Sequence, residues 1–486
     1  MNQTFDPGFG SALEAAAAIR AKEISSVELT EHTLRRIDAF EPKLNAYTYQ
    51  LREQALETAR KADEALARNE ATGALHGVPI NVKESFGVQG QPCTWGIPAL
   101  SQMRAQRNST AVQRLLNAGA VLLGATNVPA YLMDVQAFND IYGVTNNPWD
   151  LSRTSGGSSG GSGASLAAGM AFLSIGSDLG GSIRLPASFC GVYGHKPTLD
   201  IVSIAGHLPG GAQAPPGFST LMAVAGPMAR SAEDLEAAVN ILAGFEAPDS
   251  KAFKWTLPAP RHRSMREYRI GFVLDDAAAP VSIETKTVLE RAIKACERAG
   301  ATVTEGWPSG FGFGSLVDSY LFHLGAFDFS MTPPDSQQTA REHMHRRPPA
   351  YARGALSSFA EWQSQNMKRI GYRTLWEKYF GSFDVFLLPT TFTAAFEHTT
   401  VPADARVIQM PEGGEQPFWN MLSYCGLANL TGLPATAAPA GLSKSGLPVG
   451  IQIVAPYLED GTSIEFARLL AGEIGGFQAP PLDFKA

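Results

Sequence analysis

Apolar residues recur at helical spacing through the first part of the chain. Ser25 and Glu28 fit a capping box ahead of Val27, Thr30, Leu34 and Ile37, which share one helical face. The stretch EQALETARKADEALARNE is rich in strong helix formers and runs out near Thr72-Gly73. Residues 1–75 therefore read as a helical segment. After it the pattern alternates. A short apolar run, Val78 to Val82, reads as a strand leading into Lys83. Ser109 to Ala118 carries Val112, Leu115 and Leu116 at helical spacing, with Gly119 as a C-cap candidate. Ala120 to Ala125 reads as a strand, Ser162 to Gly169 as a helix and Ala171 to Ile175 as a buried strand. Further on, Arg269 to Leu274, Ala301 to Glu305, Asp384 to Leu388 and Val449 to Val454 read as strands, and Ile283 to Arg298 as a helix.

Strands alternating with helices predict an α/β fold. We expect one large domain, 1–486, built on a central, twisted, mixed and mostly parallel sheet covered by helices on both faces. Two stretches resist assignment. Ser203 to Gly217 is loaded with glycine and proline, and Trp307 to Tyr351 carries GFGFG, two proline pairs and a close histidine pair. Long loops of this kind serve as lids or pocket walls, or as plain surface insertions.

Composition narrows the picture. With 44% apolar and 17% charged residues the chain can bury a large core. A net charge of −7, with no basic face or run of like charges, argues against a nucleic-acid partner or a membrane patch. The N-terminus lacks a basic region followed by a long apolar stretch, so no secretory signal is expected. Cys93, Cys190, Cys296 and Cys425 are scattered and read as free thiols of a cytoplasmic protein. His343 and His345 have no carboxylate or cysteine cluster at ligand spacing, so neither a metal nor a cofactor is expected.

The candidate chemistry lies in RTSGGSSGGSGASLAAGMAFLSIGSDLGGSIRLPASFCGVYGHKPT, Arg153 to Thr198. A flexible linker would not run straight into an apolar helix and strand, nor meet a second glycine–serine turn bearing Asp178 and Arg184. A phosphate loop needs Gly-Lys, a pair absent from the chain, and no GxGxxG follows a strand here. Residues 157–161 also match the GxSxG nucleophile-elbow pattern, which would make Ser159 the nucleophile. That pattern is weak in a glycine-rich run, and its HGGG partner is missing.

The sequence resembles the amidase-signature family. The resemblance rests on GGSSGGS and GSDLGGSIRLPASFCGVYGHKPT, and upstream on GVPINVKESF (Gly77 to Phe86) and GATNVPAYLM (Gly124 to Met133). Downstream it extends through GPMARSAEDL, FLLPT and LPATAAPAGLSKSGLPVGIQIVAP. It marks out a catalytic core, 77–240, and a substrate-pocket region, 307–425, most divergent from Trp307 to Phe380.

The resemblance implies hydrolysis of a carbon–nitrogen acyl bond in an amide, with a carbamate or ester as alternative substrates, by a Ser–Ser–Lys relay. Ser182 would be the nucleophile, Ser158 the bridge and Lys83 the ultimate base. A lysine serves as base only when neutral, and burial lowers its ordinary pKa of about 10.4 by up to several units. The apolar run before Lys83 suits this, and strand alternation lets Glu84 point elsewhere. The resemblance further implies a cis peptide between Gly157 and Ser158, and an oxyanion hole from the amides of Leu179, Gly180, Gly181 and Ser182. Asp178 and Arg184 read as structural braces of that turn, Gly157 as a support, and Leu132 and Met133 as an apolar acyl wall. Phe311, Phe313, Phe322, Phe327 and Phe329 are candidates for the other wall or for core. His195 before KPT and Ala130 after TNVP depart from what many relatives carry.

A small-molecule amide or carbamate is the expected partner of a stand-alone enzyme, with a homodimer possible. The alternative is the glutaminase component of a tRNA-dependent amidotransferase, from which the longer, prolyl stretch LDIVSIAGHLPGGAQAPPG departs. A non-catalytic binding module is a third reading, against which the intact Lys83, Ser158 and Ser182 set argues.

Overall fold

The computed structural model describes residues 5–70, 72–213 and 219–483. An 11-stranded sheet runs through the molecule. From edge to edge its strands are Tyr47–Gln50, Val121–Thr126, Pro79–Lys83, Leu173–Asp178, Val224–Ala229, Tyr193–Lys196, Ala435–Leu442, Pro448–Val454, Val385–Pro389, Arg269–Phe272 and Thr302–Glu305. Alternation along the strands supplies a core on each face. Val385, Leu387, Ile451 and Ile453 join the core that also takes in Ala12–Arg20, Ala232–Leu242, Ile283–Arg298 and Asp460–Ile474. Phe386, Leu388 and Val454 face the opposite way, towards Phe313–Ser330 and Ser423–Thr431. The sheet is covered on both faces, as expected for an α/β fold.

Local signals hold where they were strong. Ser25 caps Ser26–Leu44, and the Glu28 carboxylate accepts in return from the Ser25 amide at 2.8 Å. Ser109 caps Thr110–Asn117, and Gly119 turns the chain at φ +89°. The helix Ile283–Arg298 has the predicted bounds, capped by Ser282.

The sheet is mixed, but not mostly parallel: four of its ten pairings are parallel and six antiparallel. The antiparallel block in the middle contains the expected strand Pro448–Val454 and three that the pattern conceals. YGHK, VAGPMA and ATAAPAGL are rich in glycine, alanine and proline, residues depleted in strands. Small residues are required there. A Cβ on Gly226 would lie 2.3 Å from the His195 carbonyl oxygen, and one on Gly194 2.8 Å from Ile183 Cγ2.

The N-terminal segment also departs from an all-helical reading, because Tyr47–Gln50 pairs antiparallel with Val121–Thr126. Its sequence, YTYQ, is aromatic and β-branched, and the left-handed Asn45 ends the preceding helix. The stretch from Trp307 to Tyr351 is largely helical: Phe313–Ser330, Pro334–His343 and Pro349–Ala355. Phe313–Ser330 is apolar nearly all round, so it carries no amphipathic stripe to read. Of Ser203 to Gly217, the part up to 213 is irregular apart from a short turn at Pro209–Gly211, and 214–217 lie outside the described residues. All four cysteines are free and buried. Among the described residues no helix is long and apolar enough to cross a membrane.

The close approach at Gly226 makes a stability prediction. Gly226→Ala forces strands apart in a fully covered sheet, and is expected to cost about 1–3 kcal/mol, as overpacking usually does. Denaturant unfolding measures it; an unchanged midpoint would mean that the middle strands separate without strain.

Candidate active site

Lys83 closes a strand in which all five residues are buried. The parallel pairing of this strand with Leu173–Asp178 brings two carboxyl ends together, next to the antiparallel strand Val224–Ala229. The strand order reverses here, with Val121–Thr126 on one side of Pro79–Lys83 and Leu173–Asp178 on the other, and such a reversal at strand carboxyl ends is where open α/β sheets leave a crevice. Lys83 Nζ lies 2.6 Å from Ser158 Oγ and 2.9 Å from Ser177 Oγ. The side chain is 0% exposed, and burial pushes its pKa down to about 7, against an opposing pull from Asp178. Glu84 does turn away: its carboxylate accepts from the Thr94 amide and hydroxyl and from the Trp95 amide.

Ser158 sits in a turn that only small residues permit. The Gly157–Ser158 peptide is cis, as the resemblance implies. A Cβ on Gly157 would lie 2.3 Å from the Asp134 carbonyl oxygen. The helix Gly160–Ala167 starts directly afterwards. The Ser159 amide donates to the Ser182 carbonyl at 3.1 Å, so the two serine segments are joined through backbone. Lys83 and Ser158 thus meet by side chain, and Ser182 is brought to the same turn. Ser159 Oγ is buried with no hydrogen-bond partner among the described residues, which leaves an elbow nucleophile there without a base.

The turn from Asp178 to Arg184 is organised by one carboxylate. Asp178 accepts from the Gly181 amide at 2.8 Å, the Ile183 amide at 3.2 Å, Arg184 Nε at 3.0 Å, Arg184 Nη2 at 2.8 Å and Asn429 Nδ2 at 3.0 Å. Both members of the ion pair are fully buried. Burial alone would raise the Asp178 pKa, but Arg184 and these donors hold it well below the usual carboxylate range. Arg184 also donates to the Cys425 carbonyl, Asn429 Oδ1 and Gln452 Oε1. The bracing reading of the pair fits this arrangement. One expectation needs correcting: the Gly181 amide, at φ +96°, is engaged by Asp178 and is not available to an oxyanion. The amides of Leu179, Gly180 and Ser182 carry no hydrogen-bond partner among the described residues, and all three residues are half-buried.

Leu132 is half-buried, while Met133 is 43% exposed. Their loop is unusual in that Tyr131 and Leu132 are both left-handed, at φ 59° and 61°. The divergent region splits its aromatic candidates. Phe313 and Phe322 are core, and Phe311 packs on Trp307 and Trp376. Phe327 and Phe329 line a cavity of about 480 Å³ with Met222, Met331 and Trp362. Contacts link the elements of that cavity to the turn: Tyr320 on the helix that carries Phe327 and Phe329 donates to the Leu179 carbonyl at 3.3 Å, and the Met222 carbonyl accepts from Asn429. His195 is buried between Thr436 and Asp460, at 2.9 and 3.1 Å.

Three participants escaped the sequence reading. Ser177 lay inside the quoted motif, but nothing in a lone strand serine signals a lysine 94 positions away. Asn429 and Tyr320 reach the turn from helices that the fold alone brings near.

The amidase family profile matches residues 28–463. A glutamyl-tRNA(Gln) amidotransferase subunit from Nostoc sp. (strain PCC 7120 / SAG 25.82 / UTEX 2576) is 32% identical over 478 residues, covering 92% of this chain and 94% of that protein. A bacterial aryl acylamidase of the amidase-signature enzymes superposes with a TM-score of 0.80 at 26% identity, over 96% of this chain and 97% of its own. A 6-aminohexanoate cyclic dimer hydrolase, complexed with substrate, matches with a TM-score of 0.80 at 27% identity, over 97% and 98%.

The buried lysine makes a prediction that needs no substrate. In protein carrying 13Cε-lysine, the Lys83 resonance should titrate near pH 7. Ser177→Ala removes an acceptor that favours the ammonium form, so the midpoint should move lower still. A midpoint near the ordinary value of about 10.4 would show that the ammonium is well solvated.

Proposed function

The chain belongs to the amidase family, and from that membership we propose that it is a serine hydrolase cleaving an amide bond of a small molecule. The observation that carries the proposal is the contact of buried Lys83 with Ser158 at 2.6 Å, beside the turn that holds Ser182. With its pKa lowered to about 7, Lys83 is largely neutral above that pH, and its lone pair takes the Ser158 proton as Ser158 takes that of Ser182. Ser182 Oγ then bonds to the substrate carbonyl carbon, and the carbonyl oxygen becomes an oxyanion facing the amides of Leu179, Gly180 and Ser182. One such donor is typically worth about 3 kcal/mol in the transition state. Return of the proton through Ser158 to the leaving nitrogen lets the carbon–nitrogen bond break and the amine depart. Water, deprotonated by the same relay, releases the acid and restores Ser182. A carbamate or ester would pass through the same acyl-enzyme.

The resemblance puts Leu132 and Met133 on the acyl side, and the cavity that Phe327, Phe329 and Trp362 line, with His323 and Arg341 among its polar members, offers aromatic surface that suits an aryl or alkyl amide. The aryl acylamidase likeness supports this reading. The glutaminase reading is supported by the 32% identity to the amidotransferase protein of Nostoc. It requires a polar pocket for an amino-acid zwitterion and a partner to receive ammonia.

Purified chain, with no partner added, should hydrolyse aryl or alkyl amides faster than glutamine; the reverse preference would favour the glutaminase reading. Ser182→Ala should abolish labelling by a fluorophosphonate, and label that persists or moves to Ser159 would sink the nucleophile assignment. The rate should rise with pH through about 7, because the working form is the neutral amine, whose share grows as pH passes the lowered pKa. Lys83→Ala should slow acylation by about 10²–10⁴-fold, more for amides than for esters, whose leaving groups need less help. Lys83→Arg should not rescue, since a guanidinium stays protonated; near-normal amide turnover in that variant would place the base elsewhere.

A further inference from the structure

The loop that carries Leu132 and Met133 is held by an ion pair that no motif announces. Asp134, the next residue, meets Arg406 in a two-pronged contact: Nη1 to Oδ1 at 2.6 Å and Nη2 to Oδ2 at 2.7 Å. The Arg406 side chain is 4% exposed. It also donates to the Val401 carbonyl, from Nε at 2.9 Å and Nη2 at 2.8 Å, and its guanidinium carbon lies 4.7 Å from the Phe418 ring centre. Two residues on, Gln136 and Thr399 exchange a second pair of bonds, at 3.0 and 3.1 Å. Residues 399–406 thus form a strap, bolted twice to 134–136.

The other side of 134–136 rests on the serine turn. The Asp134 carbonyl is the atom that leaves no space for a Cβ on Gly157. Thr154 Oγ1 donates to the Val135 carbonyl at 3.2 Å and accepts from the Gly156 amide at 3.0 Å. The segment is therefore sandwiched between strap and turn. The loop before it needs such a hold. It has two consecutive left-handed non-glycine residues, a conformation that L side chains rarely adopt. It also projects Tyr131 and Met133 partly into solvent, so packing supplies little restraint.

We propose that Arg406 is a positioning and specificity-determining residue: acting through Asp134, it fixes the Leu132–Met133 wall against the Gly157–Ser158 turn, and so sets which acyl groups are accepted. The inference rests on the amide-hydrolase reading above. A planar, forked guanidinium is required, because a lysine ammonium cannot hold both carboxylate oxygens and the Val401 carbonyl in one plane.

The test compares Arg406→Ala, Arg406→Lys, Asp134→Asn and the double variant Arg406→Ala/Asp134→Asn with the unaltered chain. Rates are taken per active site titrated with fluorophosphonate, on aryl amides of graded acyl length. The preference among acyl lengths, as a ratio of kcat/KM, should flatten by at least about tenfold in Arg406→Ala and Asp134→Asn, the order of one lost pocket contact. The double variant should lose no more than either single, and Arg406→Lys should not restore the preference. The pH midpoint should stay in place, because the groups around Lys83 are untouched. Additive losses, or an unchanged preference, would overturn the proposal. Hydrogen–deuterium exchange reads the hold without any substrate: amides of 130–136 should exchange roughly tenfold faster or more in Arg406→Ala, while those of 173–178 do not change. Unchanged exchange in 130–136 refutes the clamp. A wild-type chain that neither labels at Ser182 nor cleaves any amide refutes the hydrolase reading, and the exchange result still decides whether the clamp exists.

Discussion

The buried pair Asp178–Arg184 is the constraint on which the rest of the site depends. Removing two charges from water is costly, and their attraction offsets that cost only with good geometry and every remaining hydrogen-bonding position filled. Here the filling is done by the turn itself. The amides of Gly181 and Ile183 converge on the carboxylate, and Asn429 closes it from a separate helix. The guanidinium donates to Cys425, Asn429 and Gln452 as well as to Asp178. A chain so tied has one conformation, and in it the amides of Leu179, Gly180 and Ser182 are the ones left over. Losing one partner of such a pair would leave a bare charge inside the protein, a cost of about 3–5 kcal/mol.

The same carboxylate bears on Lys83. Burial drives the lysine towards neutrality, and the negative charge of Asp178 resists. The two effects leave the amine with a pKa of about 7, which suits the proposed role of accepting and returning a proton. A general base and acid used in alternate half-reactions works best close to the ambient pH. In the proposed relay, the turn on the oxyanion side also tunes the base, through the charge of Asp178.

How far this was legible in the sequence depended on where the information lay. Ser158, Ser182, Asp178 and Arg184 sit in glycine-rich motifs and Lys83 at the end of an apolar strand, and the resemblance of these motifs to the amidase-signature family is what allowed their placement to be anticipated. Ser177 sat among them unnoticed, since a strand serine next to Asp178 has no local mark of its partner. Asn429 is separated from Asp178 by 251 positions, and only the folded sheet relates them. The parallel strands were readable as apolar runs. Of the antiparallel middle only Val449 to Val454 was, because in the other strands Gly226 and Gly194 are there for lack of space, and strand propensity gives way to close packing. The helix Phe313–Ser330 escaped for the opposite reason: buried on most sides, it shows no polar face. The Gly181 amide was misjudged because a motif does not say which of four amides the brace itself consumes.

The route from Thr302–Glu305 to Val385–Pro389 has a consequence for how this architecture diversifies. Both strands flank Arg269–Phe272 and run parallel to it, so the chain between them is a crossover. A crossover needs about a dozen residues, usually one helix. Phe359–Tyr379 alone would serve, and three further helices, Phe313–Ser330, Pro334–His343 and Pro349–Ala355, are surplus to topology. Loop-closure cost grows only slowly with added length. The outer part of this crossover is thus a graft on a fixed rootstock: Pro334–His343 and Pro349–Ala355 can be lengthened, trimmed or exchanged without changing the strand order, whereas Phe313–Ser330 stays tied to the Asp178–Arg184 turn through Tyr320.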